Sequence, residues 1–322
     1  MSPRLQRAGQ TAKSAALVLC GLAWMARGQH TGQGAVLTFH GLREDGAEPG
    51  VLDASLHLPE WVFRAVCEHL AAHYRVMPLA EMVRVLRAGE RLPPRAVAIT
   101  FDDGYASNYR LGFPVLRELG LPATVFLATG FLDGTHALWF QEVDRACAGS
   151  PVHYPETLAR LKSLPDAEMR VEVAKLCGQN DPTTAPAVTQ PMTWNMAREM
   201  RDSGLIDFGG HTHTHPILAR CSAEQQAAEI QTCRARIETE LGKAPSVFAF
   251  PNGGPGDFTE DTQRLLRECG YDASFTMMSG RLHSSSAMHA LPRYGSPETV
   301  WEAEATASGA FEMLREWRGG RR

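Results

Sequence analysis

From about Gly34 onward, short apolar or β-branched runs alternate with stretches of helical period, and this alternation narrows the possible folds more than any other feature. The runs fall at 35–39, 75–77, 97–101, 123–127, 206–209, 247–250, 273–276 and 291–294, and most are continuously apolar. A strand apolar on both faces has to be covered on both faces, the condition of a parallel sheet flanked by helices. Between the runs, Val62, Phe63, Val66, Cys67 and Leu70 make one stripe at helical spacing. Ser222 with Gln225 predicts a capping-box helix start, and Gly242 and Gly270 predict helix stops. About seven to eight such β–α steps fit an open doubly wound sheet or a closed barrel. No GxGxxG follows an early strand, which removes the dinucleotide-binding form of the open sheet and favours the α/β barrel.

One stretch breaks the alternation. Residues 135–191 lack strand character: Leu158, Leu161 and Leu164, then Val171, Val173, Leu176 and Cys177, predict two helices, with a loop over 179–190. This reads as a helical insertion between two barrel strands. At the N-terminus, Arg4, Arg7 and Lys13 precede an apolar stretch over 15–25 that superficially resembles a secretory signal. Cutting after Ala26 would put bulky Trp24 at the −3 position, so an amphipathic helix packed on the domain or lying at a membrane surface is the better reading. The expected division is an apolar N-terminal segment over 1–33, the barrel with its insertion over 34–300, and a C-terminal helix with a basic tail over 301–322. No apolar run reaches the roughly 18 to 20 residues of a bilayer span. With 32 basic against 36 acidic residues the net charge is −4, which carries no footprint of a nucleic-acid partner. Seven scattered cysteines without a CxxC pair read as reduced thiols, so the expected compartment is the cytoplasm or the cell envelope.

Two strand ends carry the chemistry. Thr100-Phe101-Asp102-Asp103-Gly104-Tyr105 places two adjacent carboxylates where an apolar run leaves the sheet, so that one can bind a metal while the other faces a substrate. Barrel active sites collect at such strand C-termini. The second is Gly210-His211-Thr212-His213-Thr214-His215-Pro216, with three histidines in five residues. A strand turning sharply between Gly210 and Pro216 brings His211 and His215 to one ion and points His213 away. Two neutral imidazoles and a carboxylate suit zinc, then cobalt or manganese, and leave room for water, the mark of a catalytic site.

These two segments resemble the first and second motifs of the polysaccharide deacetylases (carbohydrate esterase family 4, the NodB-homology group), and fainter matches run from Val36-Leu37-Thr38-Phe39-His40 to Phe248-Ala249-Phe250-Pro251-Asn252-Gly253 and Leu291-Pro292-Arg293. The resemblance implies a deformed (β/α) barrel and metal-dependent removal of acetyl groups from an acetylated glycan. It implies that Asp103, His211 and His215 are the metal ligands and Asp102 the catalytic base. His40, which ends the first strand as in the exopolysaccharide deacetylases, becomes the candidate general acid, ahead of His283 and His289. The arginine that opens the family's third motif is missing from 248–253; Pro251 and Asn252 are left to shape the groove, and Arg293 is a candidate to hold Asp102 from another strand or to bind substrate. Tyr105 is the aromatic candidate for the groove, whereas Trp139 and Trp194 read as core.

The leading expectation is therefore a metal-dependent hydrolase of the amide in N-acetylhexosamine units. An O-acetyl esterase on a xylan-like polymer and a non-catalytic carbohydrate-binding protein are the alternatives, the latter disfavoured because Asp102 and the three ligands are intact. Oligomeric state is not legible.

Overall fold

The computed structural model describes residues 3–48, 50–148, 151–178 and 186–319. Its strands are β1 (Gly34–Phe39), β2 (Gly41–Arg43), β3 (His57–Pro59), β4 (Arg75–Val76), β5 (Ala96–Phe101), β6 (Ala123–Leu127), β7 (Ile206–Gly210), β8 (Val247–Ala249) and β9 (Ala273–Phe275). The main sheet runs β1-β5-β6-β7-β8-β9, every pair parallel, while β4 lies beside the lower half of β5 and β2 pairs with β3 alone. The run at 291–294, expected as a strand, is instead a seam of single bridges, Phe275 to Leu291 on one side and Leu37 to Tyr294 on the other. Pro292 explains the difference, because a residue without an N–H cannot complete a ladder. Those bridges still close the ring between β9 and β1, which makes the sheet a deformed barrel.

Successive residues along each strand face opposite sides, and both sides are packed. Leu37, Phe39, Ile99, Phe101 and Val125 face outward onto the helix Glu60–His73, whose predicted stripe is buried against them. Val36, Ala98, Phe126, Ala249 and Phe275 share the other cluster with Leu79, Met82 and Leu86 of the helix Leu79–Arg87. Alanines beside two phenylalanines pack this side of the sheet, and each buried large apolar side chain stabilises the fold by about 1.5–3 kcal/mol. The helix Ala223–Leu241 starts at the Ser222 and Gln225 capping box and stops at left-handed Gly242.

Among its described residues the insertion holds three α-helices rather than two, Trp139–Cys147, Tyr154–Ser163 and Asp166–Cys177, around a small core that includes Val143, Leu161 and Val173. Part of the loop expected over 179–190, residues 179–185, lies outside the described residues. The N-terminal helices Pro3–Leu19 and Leu22–Gln29 pack Leu17, Leu22 and Ala26 against Ala305 and Ala310. No helix among the described residues is long and apolar enough to cross a membrane. The seven cysteines are all free thiols.

Candidate active site

Along β5, alternate residues 96, 98 and 100 face the lumen, so Asp102 leaves the strand on the same side. There it meets Arg293, a fully buried side chain from the seam. Arg293 Nη1 donates to Asp102 Oδ1 at 2.7 Å and Nη2 to Oδ2 at 2.8 Å. Its Nε donates to the Thr276 carbonyl at 3.2 Å, and its guanidinium lies over the Phe126 ring at 5.2 Å. Burial alone would raise the Asp102 carboxyl; the adjoining Arg293 outweighs it and holds Asp102 below its ordinary value, ionised at neutral pH.

The next residue turns the other way. Asp103 adopts φ 72° and Gly104 φ 83°, two left-handed residues in succession, which swing the Asp103 carboxylate toward β7. Of the five non-glycine residues with positive φ among the described residues, four (Asp103, Thr212, His215 and Asn252) lie in the strand-end loops of this site. Backbone held in that region costs about 1–3 kcal/mol per residue and persists only where neighbours over-determine it. For the histidine loop the neighbour is Glu229, on the helix Ala223–Leu241. Its Oε2 accepts from the backbone N–H groups of His213 at 2.7 Å and Thr214 at 2.8 Å, and its Oε1 from the Thr214 hydroxyl at 2.6 Å.

Between Thr212 and His215 the turn brings His211 and His215 to Asp103. Ligand atoms of the three buried residues lie within 4.8 Å of one another. The Nε2 atoms of His215 and His211 stand 3.2 and 3.5 Å from Asp103 Oδ1, yet both Asp103 oxygens are buried without a hydrogen-bond partner. His211 Nδ1 donates to the Ala249 carbonyl at 2.8 Å, which leaves the Nε2 lone pair of the neutral ring facing Asp103. Burial raises the Asp103 carboxyl, but His211 and His215 hold it well below its ordinary value; burial likewise lowers His215, while Asp103 outweighs burial at His211 and raises it. Two imidazole nitrogens converging on a buried carboxylate are a donor set that could hold a cation. His213 points away, its Nδ1 against the Thr129 hydroxyl at 2.9 Å.

His40, Asp102, Asp103, His211, His215 and Asn252 open onto one cavity. Other sequence candidates lie elsewhere. Tyr105, expected beside the groove, is fully enclosed: its hydroxyl accepts from Gln141 Nε2 at 3.0 Å and its ring meets His57, itself pushed down to about 4 by burial with His40 alongside. Arg293 is equally enclosed and reaches Asp102, not a substrate. Pro251 is buried and its carbonyl accepts from Gly253 N–H at 2.7 Å, closing the turn that presents Asn252. His283 is exposed, and His289 is surrounded by Arg267, Asp272 and Arg87, away from the cavity. Trp194 donates to Asp133, whereas Trp139, though buried, walls the cavity. Sequence reasoning missed Asp53, Leu56 and Lys162 in that wall, and Glu229 behind the histidines.

The sequence profile described as polysaccharide deacetylase matches residues 89–274, from just before β5 to β9, and so includes both strand-end segments. The chain belongs to the polysaccharide deacetylase family. The poly-beta-1,6-N-acetyl-D-glucosamine N-deacetylase of Escherichia coli (strain K12) is 25% identical over 247 residues, which cover 68% of this chain and 30% of that protein. Of the first two curated relatives it matches, from Bacillus subtilis (strain 168) and Escherichia coli (strain K12), the chain spans 65% and 30% of the length. Among solved structures, the Streptococcus pyogenes deacetylase PplD in complex with acetate superposes with a TM-score of 0.63 at 17% identity, covering 85% of this chain and 98% of that one. IcaB from Ammonifex degensii gives 0.59 at 20% identity, covering 86% and 98%. Both likenesses concern the fold. In this member of the family the segment Phe248-Ala249-Phe250-Pro251-Asn252-Gly253 carries no arginine, and the guanidinium on Asp102 arrives from the seam between β9 and β1.

Proposed function

We propose that this chain hydrolyses the acetamido group of N-acetylhexosamine units in a glycan, with Asp103, His211 and His215 holding a divalent metal, Asp102 as general base and His40 as general acid. The observation that carries the reading is one cavity onto which all five side chains open, with Asp103 buried and unpartnered between two imidazoles. The residues fit the ion: two nitrogen donors and one carboxylate suit zinc, then cobalt or manganese. A metal bound there would supply Lewis-acid polarisation of the acetyl carbonyl and bring water within reach of a weak base, its pKa falling toward about 7.

The protein's own groups do the rest. Arg293 grips both oxygens of Asp102 and keeps it ionised, and each oxygen retains acceptor capacity for a water proton. Positioned general bases of this kind contribute about 10²- to 10⁴-fold. The departing amine needs a proton, and the presence of His40 on the same cavity, just after β1, supports it as the donor. The relative named an N-deacetylase of poly-beta-1,6-N-acetyl-D-glucosamine supports the amide over the ester. The barrel with its insertion, residues 34–300, is the unit that carries this chemistry.

The test is acetate release from β-1,6-linked N-acetylglucosamine oligosaccharides, run beside acetylated xylan. Expected are release from the amide substrate, loss on chelation, and recovery with zinc or cobalt. Release from xylan alone would move the reaction to an ester, and release from neither substrate with any metal would overturn the reading.

A further inference from the structure

The cavity above Asp103, His211 and His215 has a volume of about 130 Å³, well under the roughly 300–1,000 Å³ usual for sites that take a drug-sized ligand. Strand ends make its floor, but much of its wall is foreign to the barrel. Trp139, Phe140, Leu158 and Lys162 come from the insertion, and Asp53 and Leu56 from the segment before β3.

That wall is fastened around the ring of strand ends. On the side of β1, Asp144 Oδ2 accepts from the backbone N–H of Leu52 at 2.7 Å and of Asp53 at 3.1 Å, tying the helix Trp139–Cys147 to the segment 52–56. Beyond β7, Trp139 Nε1 donates to the His215 carbonyl at 3.2 Å, and Arg170 Nη2 donates to the Thr214 hydroxyl at 2.7 Å. Beyond β8, Lys162 Nζ donates to Asn252 Oδ1 at 2.7 Å, while from the connection after β7 Arg220 Nε donates to the Lys162 carbonyl at 3.3 Å. In the circuit of the barrel, β1 and β8 stand on roughly opposite sides. The fastenings therefore span the face that a polymer would cross if it lay over the candidate metal ligands. A strand of glycan bound at its middle needs space on both sides of the reacting residue, and here one flank ends against the bond between Lys162 and Asn252.

We infer that the pit takes a single terminal N-acetylhexosamine residue end-on, so that this chain deacetylates the ends of glycans and short saccharides in preference to the interior of a polymer, with Lys162 as the residue that closes the far side. The inference rests on the deacetylase reading above. Apolar Trp139, Phe140 and Leu158 suit the acetyl methyl and the apolar face of one sugar ring, and Lys162 with Asn252 offers polar contacts to the ring's hydroxyl groups.

The experiment uses the zinc-loaded full chain and a β-1,6-linked N-acetylglucosamine hexasaccharide tagged at its reducing end. The first singly deacetylated products are sequenced by tandem mass spectrometry. The expected first free amine lies on a terminal residue in about tenfold or greater excess over any interior position, within the range a pocket contact can discriminate. Lys162→Ala is expected to cut that excess severalfold, read as the ratio of terminal to interior free amine among the products formed. Lys162→Met, which keeps the aliphatic stem and removes the donor, gives the same readout should the alanine variant fail to fold. An even spread over interior positions in the unaltered chain overturns the inference and leaves the deacetylase reading standing. An unchanged pattern in both folded variants overturns the role of Lys162, and no acetate from any saccharide overturns both readings.

Discussion

Asp102 and Glu304 are both buried carboxylates gripped by an arginine, and they serve opposite ends. Glu304, on the helix Val300–Ser308, accepts from Arg27 on both oxygens at 3.0 and 2.5 Å, from the Tyr74 hydroxyl at 2.9 Å and from His69 Nε2 at 2.8 Å. Four donors from two segments saturate it, and the knot ties the helix Leu22–Gln29 to the end of the helix Glu60–His73. Asp102 has the two bonds from Arg293 and otherwise faces the cavity. A carboxylate offers about four acceptor sites, so Asp102 keeps capacity that Glu304 has spent. Burial and an arginine partner are common to both. Acceptor capacity left over beside a cavity is what separates Asp102 from a carboxylate whose bonds serve cohesion alone.

The largest effect should come from the cavity side. Asp102→Asn is expected to lower the rate of deacetylation by about 10²- to 10⁴-fold while zinc uptake, followed by calorimetry, stays intact because no ligand is touched. Glu304→Gln should leave the rate unchanged and destabilise the fold by about 1–3 kcal/mol at neutral pH. Burial raises Glu304, but His69 and Arg27 bring it below its ordinary 4.5. A depressed folded-state pKa stabilises above the unfolded value and is lost as pH falls through the folded one, so the stability gap between Glu304→Gln and the parent should close below about pH 4.5. A rate loss in Glu304→Gln comparable to that in Asp102→Asn would erase the comparison.

Arg293→Ala breaks the second pair and should cost about 3–5 kcal/mol, the penalty of stranding a buried charge. It should also do what Arg27→Ala does not. With Arg293 gone, burial is the dominant influence on Asp102 and pushes its pKa up, so the acid limb of kcat/KM moves to higher pH. Arg27→Ala should lower the melting temperature and leave that limb in place. The smallest of these effects belongs to Glu229, which touches neither cavity nor ligand. Glu229→Ala frees the N–H groups of His213 and Thr214 and is expected to weaken zinc binding by about 10- to 100-fold by titration, with the far-ultraviolet circular dichroism unchanged.

The alternation of apolar runs made the barrel legible because parallel strands covered on both sides leave a continuous signature, and spacing alone brought His211 and His215 toward one point. Other features depended on contacts that no local pattern records. The segment 291–294 is apolar enough for a strand, but Pro292 reduces it to bridges. Tyr105 sits beside two site carboxylates in sequence, and β3 arrives from elsewhere to bury it against His57. Lys162 and Leu56 look like ordinary residues of a helix and a loop until the insertion folds over the strand ends. Glu229 is one of many acidic residues on a polar helix face, and only the left-handed turns at Thr212 and His215 show what it restrains.

The seam between β9 and β1 joins two roles. It is a thin part of the ring, one bridge to each neighbouring strand around a proline, and it is also the segment that delivers Arg293 to Asp102. Closing the circle and supplying the counter-charge are therefore linked: a chain open along that line would hold Asp102 without Arg293 beside it.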